Sequence, residues 1–241
     1  SAVPSATASP CSSRCEKLAP ASLSYSQVLA TTGFDVPTLE FTESPVGNLV
    51  SDALLAVANE VAGQEAPFTA SFEANGVIRD SLLTGKAGII SVADAFRVLP
   101  LGMGPDGVPG YTLVAFYISS KELKSACEAA VAIPALMGDS YFLQFSGFKF
   151  TYGAGALPFN SVTAIFLREG DGYSETPLDT SDANTSLYRV VVNYYVASMM
   201  YVLEAKSGGL LAVTPKDKDG VPLPSVSAGI IDADPAAPGI Q

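Results

Sequence analysis

Helical and strand patterns alternate along this chain, and we therefore predict a fold that mixes α-helices with β-strands. Capping residues followed by apolar residues three and four positions apart indicate the helices. Runs of β-branched and aromatic residues indicate the strands. With 241 residues the chain can bury a sizeable core, and we favour one main domain over two small ones.

The first strong helix signal covers residues 44–63. Ser44 is a suitable N-cap, Pro45 takes the first helical position, where its missing N–H costs nothing, and Gly63 closes the helix. Apolar residues repeat at intervals of three and four and are expected to form one core-facing side: Val46, Leu49, Val50, Ala53, Leu54, Val57 and Val61.

Two further helix starts carry capping boxes. Ser91 with Asp94 predicts a brief helix, and Ser119 with Glu122 predicts a longer one that ends at Pro134. Cys127 falls on the apolar side of the longer helix, so we interpret it as a small core residue.

The strand signals are spread over the whole chain. Residues 25–41 are extended in character, 67–71 form a short strand, and 111–119 form a buried strand. Residues 142–152 alternate in their second half, which predicts a half-buried strand, and 161–170 predict another. We predict a linker over residues 1–24, a domain over 25–213, and an irregular tail over 214–241, which is rich in proline and glycine.

Charge and hydropathy narrow the classes of partner. The formal charge of −11 disfavours nucleic acid and anionic membrane surfaces as partners, so any anionic ligand must be met by a few placed cations or by backbone N–H groups. No apolar run reaches the roughly 18 residues that a membrane helix needs. The nearest run, residues 190–203, is interrupted by Asn193 and Ser198. We expect a soluble chain with no membrane partner.

The chain contains no histidine and three cysteines. Histidine-based catalytic triads are excluded, and neither a histidine nor a four-cysteine zinc site can form, so we expect no cofactor in this chain. Cys11 and Cys15 can close a small disulfide in an oxidising compartment, which we favour over two free thiols. The acidic loops at residues 169–173 and 217–220 lack the glutamate of a calcium-binding loop.

Asn75-Gly76 followed by Arg79 is a turn that could present backbone N–H groups and one guanidinium to an anion. A guanidinium matches a phosphate or carboxylate through two parallel hydrogen bonds. The alternative is an ordinary surface pair between Arg79 and the neighbouring Asp80, and the motif by itself does not decide between the two.

Six segments resemble, in order and with natural spacing, the successive blocks of the C-terminal domain of 5'-nucleotidases. They are "VLATTGFDVPTLEFTESPVGNLVSDALLAVAN", "NGVIRDS", "VADAFRVLPLG", "TLVAFYISSKELKSACEAA", "YFLQFSGFKFTY" and "LYRVVVNYYVAS". The resemblance covers residues 25–211. It implies an α+β fold with a mixed β-sheet and packed helices.

The resemblance also implies that a two-metal phosphoesterase domain precedes this one and performs hydrolysis with divalent metal ions. This domain would hold a nucleotide, with its base between two aromatic rings and its phosphate near arginines. By position, Asn75 and Gly76 belong to the glycine-rich turn, Arg79 is the phosphate contact, and Tyr195 is one stacking ring.

Two blocks depart from the family pattern. The Leu-Pro-Phe-Gly-Asn block reads Leu99-Pro100-Leu101-Gly102-Met103, so Leu101 replaces a stacking ring and Met103 replaces a base-reading amide. Where the family continues Gly-Gly-Asp-Gly after the stacking aromatic, this chain has Met199-Met200-Tyr201-Val202. The aspartate that would hold ribose hydroxyls is therefore missing.

Two functions remain open. The first is the substrate-binding domain of an exported (periplasmic, cell-surface or extracellular) 5'-nucleotidase-like metallophosphoesterase that binds a nucleotide or related phosphoester at Asn75, Gly76, Arg79, Leu101, Gly102, Met103 and Tyr195. The second is a non-catalytic secreted structural or protein-interaction module that keeps the fold but has a degenerate pocket.

Overall fold

A computed structural model describes residues 24–61, 65–85, 87–103, 109–153 and 159–231. The predicted Cys11–Cys15 disulfide, Gly63 and residues 1–23 of the predicted linker lie outside these ranges. Within them, the four helices are α1 (Pro45–Val61), α2 (Val92–Val98), α3 (Ser120–Met137) and α4 (Tyr194–Lys206). Short 3-10 helices cover Asp139–Tyr141 and Val226–Gly229.

Nine strands are found in the same ranges: β1 (Val28–Thr31), β2 (Ala70–Ala74), β3 (Ile89–Ser91), β4 (Leu113–Ser119), β5 (Leu143–Ser146), β6 (Phe148–Tyr152), β7 (Val162–Glu169), β8 (Gly172–Tyr173) and β9 (Leu187–Asn193). The central sheet has the order β4-β9-β2-β5, in which β2 and β9 are parallel and the other pairs antiparallel. The predicted α+β fold with a mixed sheet is therefore confirmed. An antiparallel sheet β6-β7-β8 and the pair β1-β3 complete the strands.

The core lies around the two central strands. All five residues of β2 are buried, and Val190, Val191 and Val192 of β9 are fully inaccessible. A strand buried on both faces lacks the alternating pattern of a half-exposed strand, which agrees with the continuous apolar run in β9. Cys127 packs in this core, as predicted, and burial raises the pKa of its thiol above the ordinary value.

The predicted helix starts are confirmed. The Ser91 and Ser119 side chains each accept a hydrogen bond from the backbone N–H three residues on, while Asp94 and Glu122 bond back to the cap. At α1 the Ser44 hydroxyl accepts from the N–H of Gly47 at 3.1 Å. Each bond satisfies a backbone donor that a helix end would otherwise leave unpaired.

Two details of the helix predictions are wrong. Leu49 and Val57 are about half exposed and Ala53 is exposed as well, since α1 rests on the sheet through the neighbouring side that carries Val46, Val50 and Ala58. Helix α3 does not end at Pro134 but continues to Met137. A proline removes its own N–H bond and crowds the carbonyl four residues before it, but the N–H groups after it can still bond. The last turn is closed by the Gly138 N–H, which donates to the Pro134 carbonyl at 2.8 Å.

The segment after Val213, predicted as an irregular tail, is attached to β4 over the described part of its length. Lys216 exchanges two backbone hydrogen bonds with Tyr117, and its ammonium group contacts the Glu122 carboxylate. Val226 is buried against the main core. The boundary at residue 213 stays a prediction.

The apolar run 190–203 is divided between β9 and α4, with Asn193 as the N-cap of the helix. Among the described residues, no helix combines the length and hydropathy that crossing a bilayer requires.

Replacement of Gly147 by alanine should destabilise the fold by at least about 2 kcal/mol, because the backbone there has φ +90° and a Cβ would collide with the Thr69 carbonyl oxygen. Gly33 has open space around it, so Gly33→Ala should change the free energy of unfolding by less than about 0.5 kcal/mol. Chemical denaturation measures both; equal stability of the two variants would contradict this account.

Candidate functional site

The turn after β2 is held by the Asn75 side chain. Its amide nitrogen donates to the Asp139 carboxylate at 3.0 and 3.2 Å and to the Leu39 carbonyl at 3.2 Å. Its oxygen accepts from the Gln144 amide at 2.7 Å. Because these protein groups already occupy the carboxamide, the geometry gives Asn75 a positioning role, and a direct substrate contact stays a prediction.

Gly76 lies against the 3-10 helix at Asp139–Tyr141. Its N–H donates to the Ser140 carbonyl at 3.1 Å, and a Cβ at this position would lie 2.9 Å from that same oxygen. The close backbone approach explains why this position of the turn is a glycine.

Arg79 projects from the end of the turn. Its backbone N–H donates to the Val98 carbonyl at 2.8 Å, and its exposed guanidinium makes one contact, at 3.3 Å, with the Gly76 carbonyl. The neighbouring Asp80 is paired with Arg97 at 2.9 Å instead. In the described ranges no carboxylate lies within 4.0 Å of the Arg79 guanidinium, so the structure does not favour the Arg79–Asp80 surface pair.

The segment that carries the departures from the family pattern is accessible. Leu101 is 38% exposed and Met103 is 69% exposed. Gly102 has φ +92°, and a Cβ there would meet the ring of Tyr111 at 2.6 Å. Leu101 and Met103 therefore present their side chains to solvent, on either side of a glycine that contacts a tyrosine ring.

Tyr195 lies in the first turn of α4 and is partly buried. Its ring centroid is 5.8 Å from that of Tyr111, with the ring planes inclined at 34°. Burial, followed by the neighbouring phenols of Tyr141 and Tyr111, raises the pKa of Tyr195 above its ordinary value. It is therefore a neutral phenol at physiological pH.

Contacts connect some of the predicted site residues. The Gly76 N–H donates to the Ser140 carbonyl, the phenol of the next residue, Tyr141, contributes to the raised pKa of Tyr195, and the Tyr195 ring packs on Tyr111, whose ring lies beside Gly102. We call the candidate set the Arg79–Tyr195 surface: Asn75, Gly76, Arg79, Leu101, Gly102, Met103, Tyr111, Tyr141 and Tyr195. Tyr111 and Tyr141 were not predicted as site residues, and their one sequence signal is an aromatic residue at the junction of a loop and a strand.

Two cavities are described in this structure. The first, of about 90 Å³, lies between α3, α4 and the central sheet and is lined almost entirely by apolar atoms, with Tyr141 at its edge. The second is a groove of about 470 Å³ beside β6, β7 and β8, where polar and apolar atoms mix and the Lys149 ammonium lies 4.6 Å from the ring centroid of Tyr173. Arg79 and Tyr195 line neither of these two cavities.

A buried carboxyl lies behind the Arg79–Tyr195 surface. Glu73 is 1% exposed, and its oxygens accept from the Ala74 N–H at 2.8 Å and from the Asn193 amide at 2.8 and 2.9 Å. These partners are neutral, so burial dominates and raises the pKa of Glu73 to about 8. Sequence analysis missed this residue, because its neighbours in β2 give no sign of its role.

The described residues do not offer a metal site: within them, no three potential histidine, cysteine, aspartate or glutamate ligands lie close enough together to hold an ion. The acidic turn at 217–220 instead satisfies itself, because the Asp217 carboxylate accepts from the N–H groups of Asp219 and Val221 at 2.9 Å each.

This arrangement of the four described helices around a mixed sheet matches a known class of domain. The model of the 5'-nucleotidase C-terminal domain family covers residues 22–201, which is 180 of the 241 residues. The chain therefore belongs to the 5'-nucleotidase C-terminal domain family, and the predicted resemblance is confirmed.

Solved structures agree with this assignment. The 5'-nucleotidase precursor from Thermus thermophilus is 27% identical with a TM-score of 0.55, and the alignment covers 71% of this chain and 30% of that one. The NAD nucleotidase (NadN) of Haemophilus influenzae is 18% identical with a TM-score of 0.54, covering 76% and 31% respectively. A comparison with curated protein sequences found no match.

A third similar structure is the putative 5'-nucleotidase from Staphylococcus aureus in complex with alpha-ketoglutarate, 14% identical with a TM-score of 0.52, covering 78% of this chain and 35% of that one. Identities of 18% and 14% show a shared fold alone. This chain spans about a third of the length of these three proteins.

Glu73 should make stability depend on pH. Its folded pKa, about 8, lies above its ordinary value of 4.5, so its contribution is complete below pH 4.5 and is lost as pH rises to about 8, by roughly 1.4 kcal/mol per pH unit at the steepest. Glu73→Gln should remove this loss in denaturation curves measured across that range. Glu169→Gln, at an exposed position, should retain it, and a wild-type slope unchanged in Glu73→Gln would contradict the assignment.

Proposed function

We propose that this chain is the substrate-binding domain of a 5'-nucleotidase-like phosphoesterase, and that Arg79 binds the phosphate of the substrate. The observation that carries the proposal is the Arg79 guanidinium, which is exposed and has no carboxylate partner within 4.0 Å in the described ranges. A guanidinium in this state can offer two parallel N–H donors to a phosphate.

The charge of the whole chain supports the same role. At a formal charge of −11, long-range attraction cannot bring an anionic substrate to this domain, so binding must depend on a local cation. The backbone of Arg79 is fixed before substrate binds, because its N–H is bonded to Val98 and the preceding turn packs through Gly76 on Ser140. A fixed binding group loses less conformational freedom on binding.

We assign hydrolysis to a preceding domain of the whole protein, together with the divalent metal ions that its chemistry would use. This chain has no histidine, and its described residues do not group three potential ligands. Its own residues would bind the phosphoester and orient it. We also propose that the protein is exported to the periplasm, the cell surface or the medium, where the predicted disulfide between Cys11 and Cys15 would be able to form.

This chain departs from its family at the residues that would contact the organic part of the substrate. Leu101 and Met103 offer neither a stacking ring nor an amide, and a lost base stack alone costs about 1–3 kcal/mol. We therefore expect weak binding of ordinary nucleotides. Leu101 and Met103 also favour the alternative function, a non-catalytic module with a degenerate pocket. A neighbouring domain without metal-binding Asp, His and Asn residues would support that alternative.

Arg79→Ala should weaken binding of a phosphate monoester by about 1.5–3 kcal/mol, because a charge-assisted hydrogen bond is lost. Isothermal titration calorimetry with AMP and with glycerol phosphate measures the change. Arg168→Ala is the matched control: Arg168 is also exposed, but it lies on β7 and faces Asp52 at 3.8 Å. Equal affinities of the wild type and Arg79→Ala would reject the phosphate role.

Leu101→Phe combined with Met103→Asn should raise the affinity for AMP by about ten- to a hundredfold, since a stacking ring contributes about 1–3 kcal/mol. Leu101 and Met103 are exposed, so neither substitution overpacks the core. Affinity for inorganic phosphate serves as the control and should stay constant. A double variant with unchanged AMP affinity would show that residues 101 and 103 do not contact the base.

A further inference from the structure

Helix α4 occupies the place where the family pattern has a glycine-rich loop. The helix runs without a break from Tyr194 to Lys206, so residues 199–202, which replace the Gly-Gly-Asp-Gly block, are helical. Three of them, Met199, Met200 and Val202, line the 90 Å³ cavity. The residues that replace the block with the ribose-binding aspartate therefore also form an apolar wall of the cavity.

The chemistry of the cavity excludes a nucleobase. Leu203 and Val196 of α4, with Ile133 of α3 and Phe116 of β4, leave almost no polar atom in its lining. The donors and acceptors on the edge of a base would lose their hydrogen bonds to water and gain none, at a cost of about 1–3 kcal/mol each. An aliphatic group has no such groups to satisfy and gains free energy for each methylene that it buries.

The size of the cavity favours a short group. An apolar cavity of 150 Å³ is large enough to take a benzene ring, and this one, at about 90 Å³, is smaller. Most of the α4 residues that line it are only partly buried, so a ligand would enter along this helix.

Tyr141 relates the cavity to the proposed phosphate site. It lines the cavity, and its phenol contributes to the raised pKa of Tyr195. The preceding residue, Ser140, accepts the Gly76 N–H, and the Gly76 carbonyl accepts the Arg79 guanidinium. One short series of contacts thus joins the apolar lining to the exposed cation.

We infer that the substrate of this domain is the phosphate monoester of a short aliphatic alcohol, whose phosphate contacts Arg79 and whose alkyl group enters the cavity between α3 and α4. The phosphate half of this inference rests on the proposed function. The alkyl half rests on the cavity alone. A nucleotide would satisfy the first half but not the second.

Calorimetry with inorganic phosphate and with ethyl, butyl, isopentyl and octyl phosphate tests the inference on the wild-type chain. Affinity should rise by about fourfold for each buried methylene and reach a plateau once the cavity is full. AMP should bind more weakly than isopentyl phosphate. Equal affinities along the alkyl series, or tighter binding of AMP, would overturn the inference.

Two variants test the location. Ala129 lines the cavity, so Ala129→Leu should fill it and reduce the affinity for isopentyl phosphate to that of ethyl phosphate, while inorganic phosphate binds as before. Because an added side chain can also overpack the core, Met200→Ala is the second test: it enlarges the cavity and should move the plateau to longer chains. An unchanged plateau in Met200→Ala would place the alkyl group elsewhere.

Isopentyl alcohol separates the two halves of the inference. Suppose that the alcohol binds the wild type but not Ala129→Leu, and that no phosphate ester binds more tightly than its alcohol. The cavity is then a ligand site, but the phosphate role of Arg79 fails. If inorganic phosphate binds through Arg79 but no alkyl group adds affinity, the proposed function stands and the alkyl inference fails.

Discussion

The arrangement of the Arg79–Tyr195 surface depends on the hydrogen bonds made by the Asn75 carboxamide. It joins the end of β2 to the Asp139 carboxylate, to the Leu39 carbonyl and to Gln144 of β5. Gln144 in turn accepts from the backbone N–H of Ser44, the N-cap of α1. A single, partly buried hydrogen-bond network therefore positions the turn, the 3-10 helix and the start of α1, and its Gln144–Ser44 bond is fully buried. A buried polar group that loses its partner is costly, so this network resists the loss of a member.

This network explains how an exposed arginine can be held in a defined place. Three interactions fix the turn that carries Arg79: the side-chain hydrogen bonds of Asn75, the packing of Gly76 on Ser140, and the backbone hydrogen bond from Arg79 to Val98. If Arg79 binds phosphate as proposed, only its side chain would have to be ordered on binding. A binding group on a rigid base needs less of its interaction energy to offset lost freedom.

Sequence patterns were sufficient for the fold, and the site that they indicate stays a prediction. Capping boxes such as Ser119 with Glu122 are local and could be predicted, and so could the burial of Cys127. The exposed side of α1 could not, because Leu49 and Val57 fit the same helical period as the buried residues and only the sheet decides which side is covered. Ordered motifs predicted Arg79 and Tyr195 as site residues, but Tyr141 becomes their neighbour only through tertiary contacts.

Contacts between the central strands explain how the family fold can persist while residues of the candidate site differ from the family pattern. Glu73, two residues before Asn75, is bonded to Asn193, two residues before Tyr195. Because this pair is buried between parallel neighbouring strands, it fixes the spacing between the turn of Arg79 and the first turn of α4. Residues beyond Tyr195 are free of that constraint, since they contribute side chains to a cavity wall rather than to the strand pairing. If the alkyl group binds as proposed, substitution there would alter which organic group is accommodated, while the spacing between the turn of Arg79 and the start of α4 would still be set by β2 and β9.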